Sequence, residues 1–319
     1  MSVVSIVTPV FNGEKFIDAC IDSVQAQTFT DWEMLVVDDG STDGTFGLIQ
    51  ARAAQDPRIR LLTHPGHQNQ GVSKSRQLGI SQCCGKYVSM LDADDLFKPV
   101  KLERQVAVAR RHTECVVFHG RGVCVDQNGN EKPSPNLADS FNLFASHDHV
   151  YDFCQHERFL VQNPILNSST LIRRDVLSAT AYGFKQLFQY EDWTLWVLLA
   201  QSGLFYVSAE DLVDYRAHDE SASALVMESS LVETYSYIEF LLSVIALCQG
   251  QQIRERAAGL LEAKLADAVK GYAVDGEMIL SSIPLKKVSS DSLTQGLITA
   301  LPKPKSKRRW FQAFSLERN

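Results

Sequence analysis

The chain has 319 residues, 45% apolar and 22% charged, with a formal net charge of -7. That composition is one of a folded protein rather than a disordered chain, and the negative balance argues against a generic nucleic-acid binder, which needs a basic surface to displace counterions. The odd number of cysteines without CxxC spacing, no secretory leader and no apolar run of about twenty residues together predict a soluble cytosolic protein with reduced, buried thiols.

From the N-terminus, apolar residues 3–7 read as a strand. The spacing of Phe16, Ile17, Cys20, Ile21 and Val24 reads as a helix before a second apolar run at 34–37. This is a β-α-β unit. A second round gives a helix over 45–54, a strand over 59–62, a helix over 72–84 stopped by Gly85, and a buried strand over 87–91 that runs into acids. Alternating strands and helices imply an α/β fold with a mostly parallel central sheet and right-handed crossovers. Pro99 opens another helix with Leu102, Val106 and Ala109 on its apolar face, followed by a strand over 115–119. Asp126-Gln127-Asn128-Gly129-Asn130 is a turn signal expected to join two antiparallel strands. Residues 133–156 are polar, dotted with aromatics and weakly periodic, which suits a long loop or lid that sets substrate choice. Glu191-Asp192-Trp193 starts a helix with apolar Leu195, Trp196, Leu198 and Leu199 that ends near Gly203. From 228 to 270, heptad-like spacing predicts two helices broken near Gly250, and after Pro284 the chain turns to Ser, Pro and Lys.

Asp92, Asp94 and Asp95 are three carboxylates within four residues, and they repel one another unless a cation sits among them. At the C-terminal end of a buried strand, where open α/β sheets bind ligands, they point to Mg²⁺ or Mn²⁺ and the phosphates such an ion bridges. A loop that caps the next helix is the alternative. Two more strand tips face the same region, Thr8-Pro9-Val10-Phe11-Asn12-Gly13 and Val36-Val37-Asp38-Asp39-Gly40-Ser41-Thr42-Asp43-Gly44. A carboxylate there, Asp39, suits a base N–H or a ribose hydroxyl, unless residues 38–43 only turn the chain. Asn69-Gln70-Gly71 leads into a helix whose N-terminal amides suit phosphate or nucleotide, with Arg76 as a fixed positive charge or as an ordinary surface arginine.

Taken together, Val4-Ser5-Ile6-Val7-Thr8-Pro9-Val10-Phe11-Asn12, Gln27-Thr28-Phe29, Leu35-Val36-Val37-Asp38-Asp39-Gly40-Ser41-Thr42-Asp43, Asn69-Gln70-Gly71 with Arg76, and Leu91-Asp92-Ala93-Asp94-Asp95 resemble the family 2 glycosyltransferases. The resemblance covers residues 3–220, and the conjunction is far more specific than any one piece. It implies the nucleotide-sugar-binding GT-A fold, with Thr8, Pro9, Phe11, Asn69, Gly71, Arg76 and Ala93 lining the donor. By the same resemblance Asp39 contacts uracil or an equivalent base, Asp92 the ribose side, and Asp94 a divalent metal, Mn²⁺ or Mg²⁺, on the diphosphate. Phe11 stands where Tyr is common, and Gln77 where Asn is usual. Glu191 and Asp192 look like the family's Glu-Asp motif, in which the Asp takes the proton of the acceptor hydroxyl; read alone, the pair fits a helix cap. Tyr215-Arg216-Ala217-His218-Asp219-Glu220-Ser221-Ala222-Ser223 resembles the segment that closes the site, with His218 on the metal or diphosphate and Arg216 on phosphate.

The implied protein is an inverting, metal-dependent glycosyltransferase that moves a sugar from a nucleotide diphosphate donor, a UDP-sugar, to a saccharide or lipid-linked acceptor in bacterial polysaccharide or glycolipid synthesis. Its expected organisation is a transferase domain over 1–225, with a nucleotide-binding half over 1–119 and an acceptor-side half over 120–225, then a helical extension over 226–284 and a tail over 285–319. A nucleotidyltransferase competes, but no Gly-rich triphosphate loop is present; a non-catalytic carbohydrate-binding or scaffold protein competes, but Asp94 and Asp192 are both retained. The basic-aromatic run at 303–311 could dock on an anionic bilayer, which would place a cytoplasmic protein at the inner face of the membrane, or stay solvated.

Overall fold

The computed structural model describes residues 2–133, 145–155, 159–180, 190–218 and 230–272. Two compact units divide the chain, Met1–Ser229 and Ser230–Asn319. In the first, β1 (Val4–Val10), β2 (Trp32–Asp38), β3 (Ile59–Thr63) and β4 (Tyr87–Met90) lie parallel in the order β3-β2-β1-β4. The connections are α1 (Ile17–Gln25), α2 (Thr45–Gln55) and α3 (Val72–Ser81). Every residue of β1 and β2 is buried, which is why both read as unbroken apolar runs rather than alternating ones. The predicted stripe Ile17, Cys20, Ile21 and Val24 is the buried face of α1. Each such apolar side chain stabilises the fold by roughly 1.5–3 kcal/mol. Gly79 lets α3 close on the sheet, since a Cβ there would lie 2.5 Å from Val7 Cγ1; Gly79→Ala would push the helix outward.

The pairing of β1 with β4 ends at Val7 opposite Met90, so beyond it one edge of β1 leaves the ladder. Pro9, which has no N–H, is therefore tolerated in an otherwise central strand. β1 connects to β2 on one side while β4 occupies the other. The C-terminal ends of β1 and β4 thus flank the point where strand order reverses, the place where open α/β sheets hold ligands.

Antiparallel pairings enter after β4. β5 (Leu96–Phe97) and α4 (Lys101–Arg111) precede β6 (Cys115–Val125), β7 (His149–Tyr151), β8 (Leu171–Arg173), α5 (Arg174–Ala179), α6 (Glu191–Leu199) and β9 (Leu204–Arg216). The sheet continues β4-β8-β6-β9-β5, with β7 also on β9. β8 is antiparallel to both β4 and β6, β5 and β7 are antiparallel to β9, and β6 runs parallel to β9 with irregularities around Gly120 and Arg121. Lys101 is buried between these elements: its Nζ donates to Ser89 Oγ at 2.8 Å, Gln105 Oε1 at 2.8 Å and the Thr170 carbonyl at 3.2 Å, and burial drives its pKa well down.

Two expectations differ from the structure. The strand expected over 115–119 continues to Val125, and the turn after it leads to one antiparallel bridge, Val125 to Glu131, rather than a paired hairpin. Inside the expected loop over 133–156, His149–Tyr151 adds to the sheet edge, a strand too short to register as alternation; residues 134–144 and 156 of that loop lie outside the described residues.

The second unit contains α7 (Ser230–Leu247) and α8 (Gln251–Tyr272), which pack on each other across the predicted break at Gly250. Phe240, Leu241 and Val244 of α7 and Ala257 of α8 are buried. The basic tail lies outside the described residues. No helix among the described residues is long and apolar enough to cross a membrane. All seven cysteines are free thiols.

Candidate active site

The first two strand tips are laced together. Asn12, in the left-handed region at φ 53°, accepts the Thr42 amide on Oδ1 at 2.8 Å, while Ser41 Oγ accepts the Asn12 amide at 2.9 Å. Thr8 and Pro9 are buried in β1, and Phe11 projects from the tip, 50% exposed. Asp39 is 3% exposed, and burial raises its pKa against the amides it accepts. Its Oδ1 accepts the Gln70 amide at 2.7 Å and its Oδ2 the Gly71 amide at 2.8 Å. Asn69 Oδ1 also accepts the Gly71 amide, at 3.1 Å. The contact visible at Asp39 therefore holds the Asn69-Gln70-Gly71 loop. Gly71, with φ 88°, supplies a backbone conformation that side chains resist.

The acids after β4 are organised by residues distant in sequence. Pairing of β4 with β8 sets the 3₁₀ turn Asn167–Ser169 beside them. Asn167 Nδ2 donates to Asp92 Oδ1 at 3.1 Å; Ser168 Oγ donates to Asp95 Oδ2 at 2.5 Å and accepts the Asp92 amide at 3.1 Å. Pairing of β5 with β9 brings the end of β9 to the same place. There the Arg216 amide donates to Asp95 Oδ1 at 3.0 Å, its Nε to the Asp94 carbonyl at 2.9 Å, and its Nη1 to the Gln127 carbonyl at 2.7 Å. Burial, then Asp94 and Asp92, push the Asp95 carboxyl well above the ordinary range. Asp92, Ala93 and Asp94 stay partly exposed, so they face the opening while Asp95 braces it from within.

His218 Nε2 lies 3.0 Å from Asp94 Oδ2, and its ring packs 4.7 Å from Phe16. At that distance the two share a hydrogen bond, and a carboxylate oxygen with an imidazole nitrogen is a donor pair that would hold a divalent ion in place of that contact. Among the described residues no three His, Cys, Asp or Glu side chains converge on one ion. The pair would hold such an ion only together with ligands from phosphate and water, as Mg²⁺ commonly has.

Arg76 joins this cluster to α6. It is 5% exposed; Nη2 pairs with Asp92 Oδ1 at 2.7 Å and Nη1 pairs with Glu191 Oε1. Burial pulls its pKa down, but Asp92, Glu191 and Asp192 outweigh that and raise it. It is thus a buried bridge between carboxylates, where the sequence pointed to a donor-facing cation or a surface arginine. Asp192 follows Glu191 and is half-buried. Burial, then Glu191, push it up to about 7 against the opposing pull of Arg76. A carboxylate with that pKa accepts a proton well near neutral pH. The structure therefore gathers Asp92, Asp94, Arg76, Glu191, Arg216 and His218 into one connected network, with Thr8, Pro9, Phe11, Asp39, Asn69 and Gly71 along the adjoining strand tips.

Residues 5–178 match the model of glycosyl transferase family 2. The chain belongs to this family. A glycosyltransferase of Haemophilus influenzae is 28% identical over 225 residues, which span 70% of this chain and 68% of that protein. Chondroitin synthase of Escherichia coli is 32% identical over 40% of this chain and 18% of its own length, and the UDP-Glc:alpha-D-GlcNAc-diphosphoundecaprenol beta-1,3-glucosyltransferase WfgD of Escherichia coli is 38% identical over 106 residues, which span 33% of this chain and 40% of that protein. The fold resembles S. aureus TarS 1–349 in complex with UDP-GlcNAc, with a TM-score of 0.66 at 18% identity over 87% of this chain and 77% of that one. It also resembles the mannosyltransferase PcManGT of Pyrobaculum calidifontis with GDP-Man and Mn²⁺, at TM-score 0.57 and 16% identity over 98% and 84%. This family 2 glycosyltransferase has the expected GT-A fold.

Sequence reasoning missed Asn163, whose Nδ2 donates to Asp192 Oδ2, and also Asn167 and Ser168. Asn167-Ser168-Ser169 precedes the short apolar pair Leu171-Ile172, a signal for a strand entry but not for contact with Asp92 and Asp95.

Proposed function

We propose that this family 2 glycosyltransferase transfers a sugar with inversion from a UDP-sugar to an acceptor hydroxyl, in the synthesis of a bacterial polysaccharide or glycolipid. The observation that carries the reading is the Arg76 bridge, which ties Asp92 at the strand tip to the Glu191-Asp192 pair on α6. It sets a carboxylate suited to proton removal next to the donor-side acids. In this reading Asp192 takes the proton of the acceptor hydroxyl as that oxygen attacks the anomeric carbon and the bond to the nucleoside diphosphate breaks; one base suffices for a single in-line displacement. Glu191 holds Arg76, and Arg76 keeps the adjacent carboxylates from repelling each other apart. Asp94 and His218 would hold a divalent ion, which supplies charge neutralisation to the departing diphosphate. Asp39, Asn69 and Gly71 shape the base side, and Asp92 and Ala93 the ribose side. The polysaccharide or glycolipid context draws on the names of the Escherichia coli relatives.

The test is thermal stabilisation by a panel of nucleoside diphosphates and nucleotide sugars, each with Mn²⁺ or chelator, on the wild type and Asp94→Ala. A UDP-dependent shift that needs Mn²⁺ and vanishes in the variant is expected. A response to another nucleotide alone, or one indifferent to chelator, removes the donor or the metal from the reading.

A further inference from the structure

Among the described residues, two hydrogen bonds fix the Asp192 carboxylate. Oδ1 accepts the Trp193 amide at 2.6 Å, a contact within the first turn of α6. Oδ2 accepts Asn163 Nδ2 at 3.1 Å, from a loop 29 positions earlier. That loop is fastened to the helix where Trp193 Nε1 donates to the Phe159 carbonyl at 2.8 Å. Asn163 Oδ1 accepts the Ile165 amide at 3.2 Å. An amide N–H can only donate, so the Asn163 oxygen must face Ile165, which leaves the NH₂ group turned to Asp192. The carboxamide is therefore held in one orientation before any substrate arrives.

We propose that Asn163 is a positioning residue for the base: its carboxamide orients Asp192 Oδ2 and favours the ionised form that accepts the acceptor's proton. This rests on Asp192 being the base. Among the described residues, the charged groups that face Asp192 are Glu191 on its own helix, Arg76 from α3 and Asp92 at the tip of β4. Burial and the two carboxylates raise its affinity for protons, and Arg76 and the Trp193 amide lower it. A further donor to the ionised form acts in the lowering direction, so its loss lets the proton bind more tightly.

Asn163→Ser keeps a hydroxyl that can accept the Ile165 amide but is too short to reach Asp192, and Asn163→Ala removes both contacts. Carboxyl-¹³C aspartate NMR on the full chain, with the Asp192 resonance identified by its absence from Asp192→Asn, reads the titration without substrate. The Asp192 midpoint is expected to rise by about one pH unit in both variants. Release of nucleoside diphosphate from whichever nucleotide sugar stabilises the protein should then fall about fivefold at pH 7 and recover at pH 9, with an unchanged KM for the donor. A midpoint at the wild-type position in both variants overturns the proposal and leaves the transferase reading intact. Full turnover in Asp192→Asn overturns the base assignment, and this proposal with it.

Discussion

The parallel half of the sheet and its mixed half reach the same site by different routes. At the parallel tips, Asp39 meets the amides of Gln70 and Gly71, 31 and 32 positions away, because consecutive β-α units deliver each tip to the same edge. In the mixed half, Arg76 meets Glu191 across 115 positions, Arg216 meets Asp95 across 121 and His218 meets Asp94 across 124. Those contacts exist because β5 pairs with β9 and β4 with β8. On the proposed function, the donor frame is thus a product of local topology, and the proposed base and metal pair are products of long-range assembly. Changes in the second group should therefore separate catalysis and assembly from donor shape.

Asp192→Asn should give the largest effect and the clearest break. Turnover is expected to fall about 10²–10⁴-fold, while stabilisation by the nucleotide donor persists. Equal loss of donor binding would erase the distinction between the halves. The pH dependence follows from the pKa of about 7: a base works when ionised, so the wild-type rate should rise as pH increases through that value. Stability moves the other way. A carboxyl whose folded pKa lies above its unfolded value of about 3.9 contributes stability below that unfolded value and loses it as pH rises towards 7. Asp192→Asn should therefore gain stability relative to wild type as pH rises from about 4 to about 7, read by urea unfolding.

Arg76→Met tests whether the two halves are joined by one side chain. Its removal leaves Asp92, Glu191 and Asp192 clustered without their cation, and the loss of one partner from a buried ion pair costs about 3–5 kcal/mol. Urea unfolding that shows a change below about 1 kcal/mol would mean that the halves are held by packing instead. Asp94→Ala, with a smaller effect, should leave the apo stability nearly unchanged and abolish the Mn²⁺-dependent stabilisation by the donor, which reaches about 2.7 kcal/mol at a hundredfold excess of ligand over Kd.

How much of this was legible in the sequence follows the same division. The strands around Val4, Met34 and Val88 announce themselves as apolar runs covered on both faces, and the helix at Ile17 through its one buried stripe. Asp39, Asp92, Asp94 and Asp192 stand out because acids at strand tips or at a helix start need a reason. Arg76 was found as a residue but not as a bridge, because its position on α3 carries no trace of Glu191 so far along the chain. β5, β7 and β8 are two or three residues long, too short for a period, and their pairing partners decide them. Asn163 and Ser168 lie in irregular segments, where no repeat marks one small polar side chain above its neighbours.

Ser168→Ala is the smallest and the sharpest of these tests. Ser168 is fully buried, and its hydroxyl serves two acids at once: it donates to Asp95 Oδ2 and accepts the Asp92 amide. Its loss unpairs both groups, and unsatisfied buried polar atoms cost about 1–3 kcal/mol. Asp95 would retain the Arg216 amide, so the cluster should loosen rather than collapse. If donor stabilisation falls along with the unfolding energy, the turn before β8 sets the position of Asp92 and the mixed half shapes the donor site itself. If only the unfolding energy falls, the parallel half holds Asp92 unaided, and the long-range contacts serve the base and the metal pair alone.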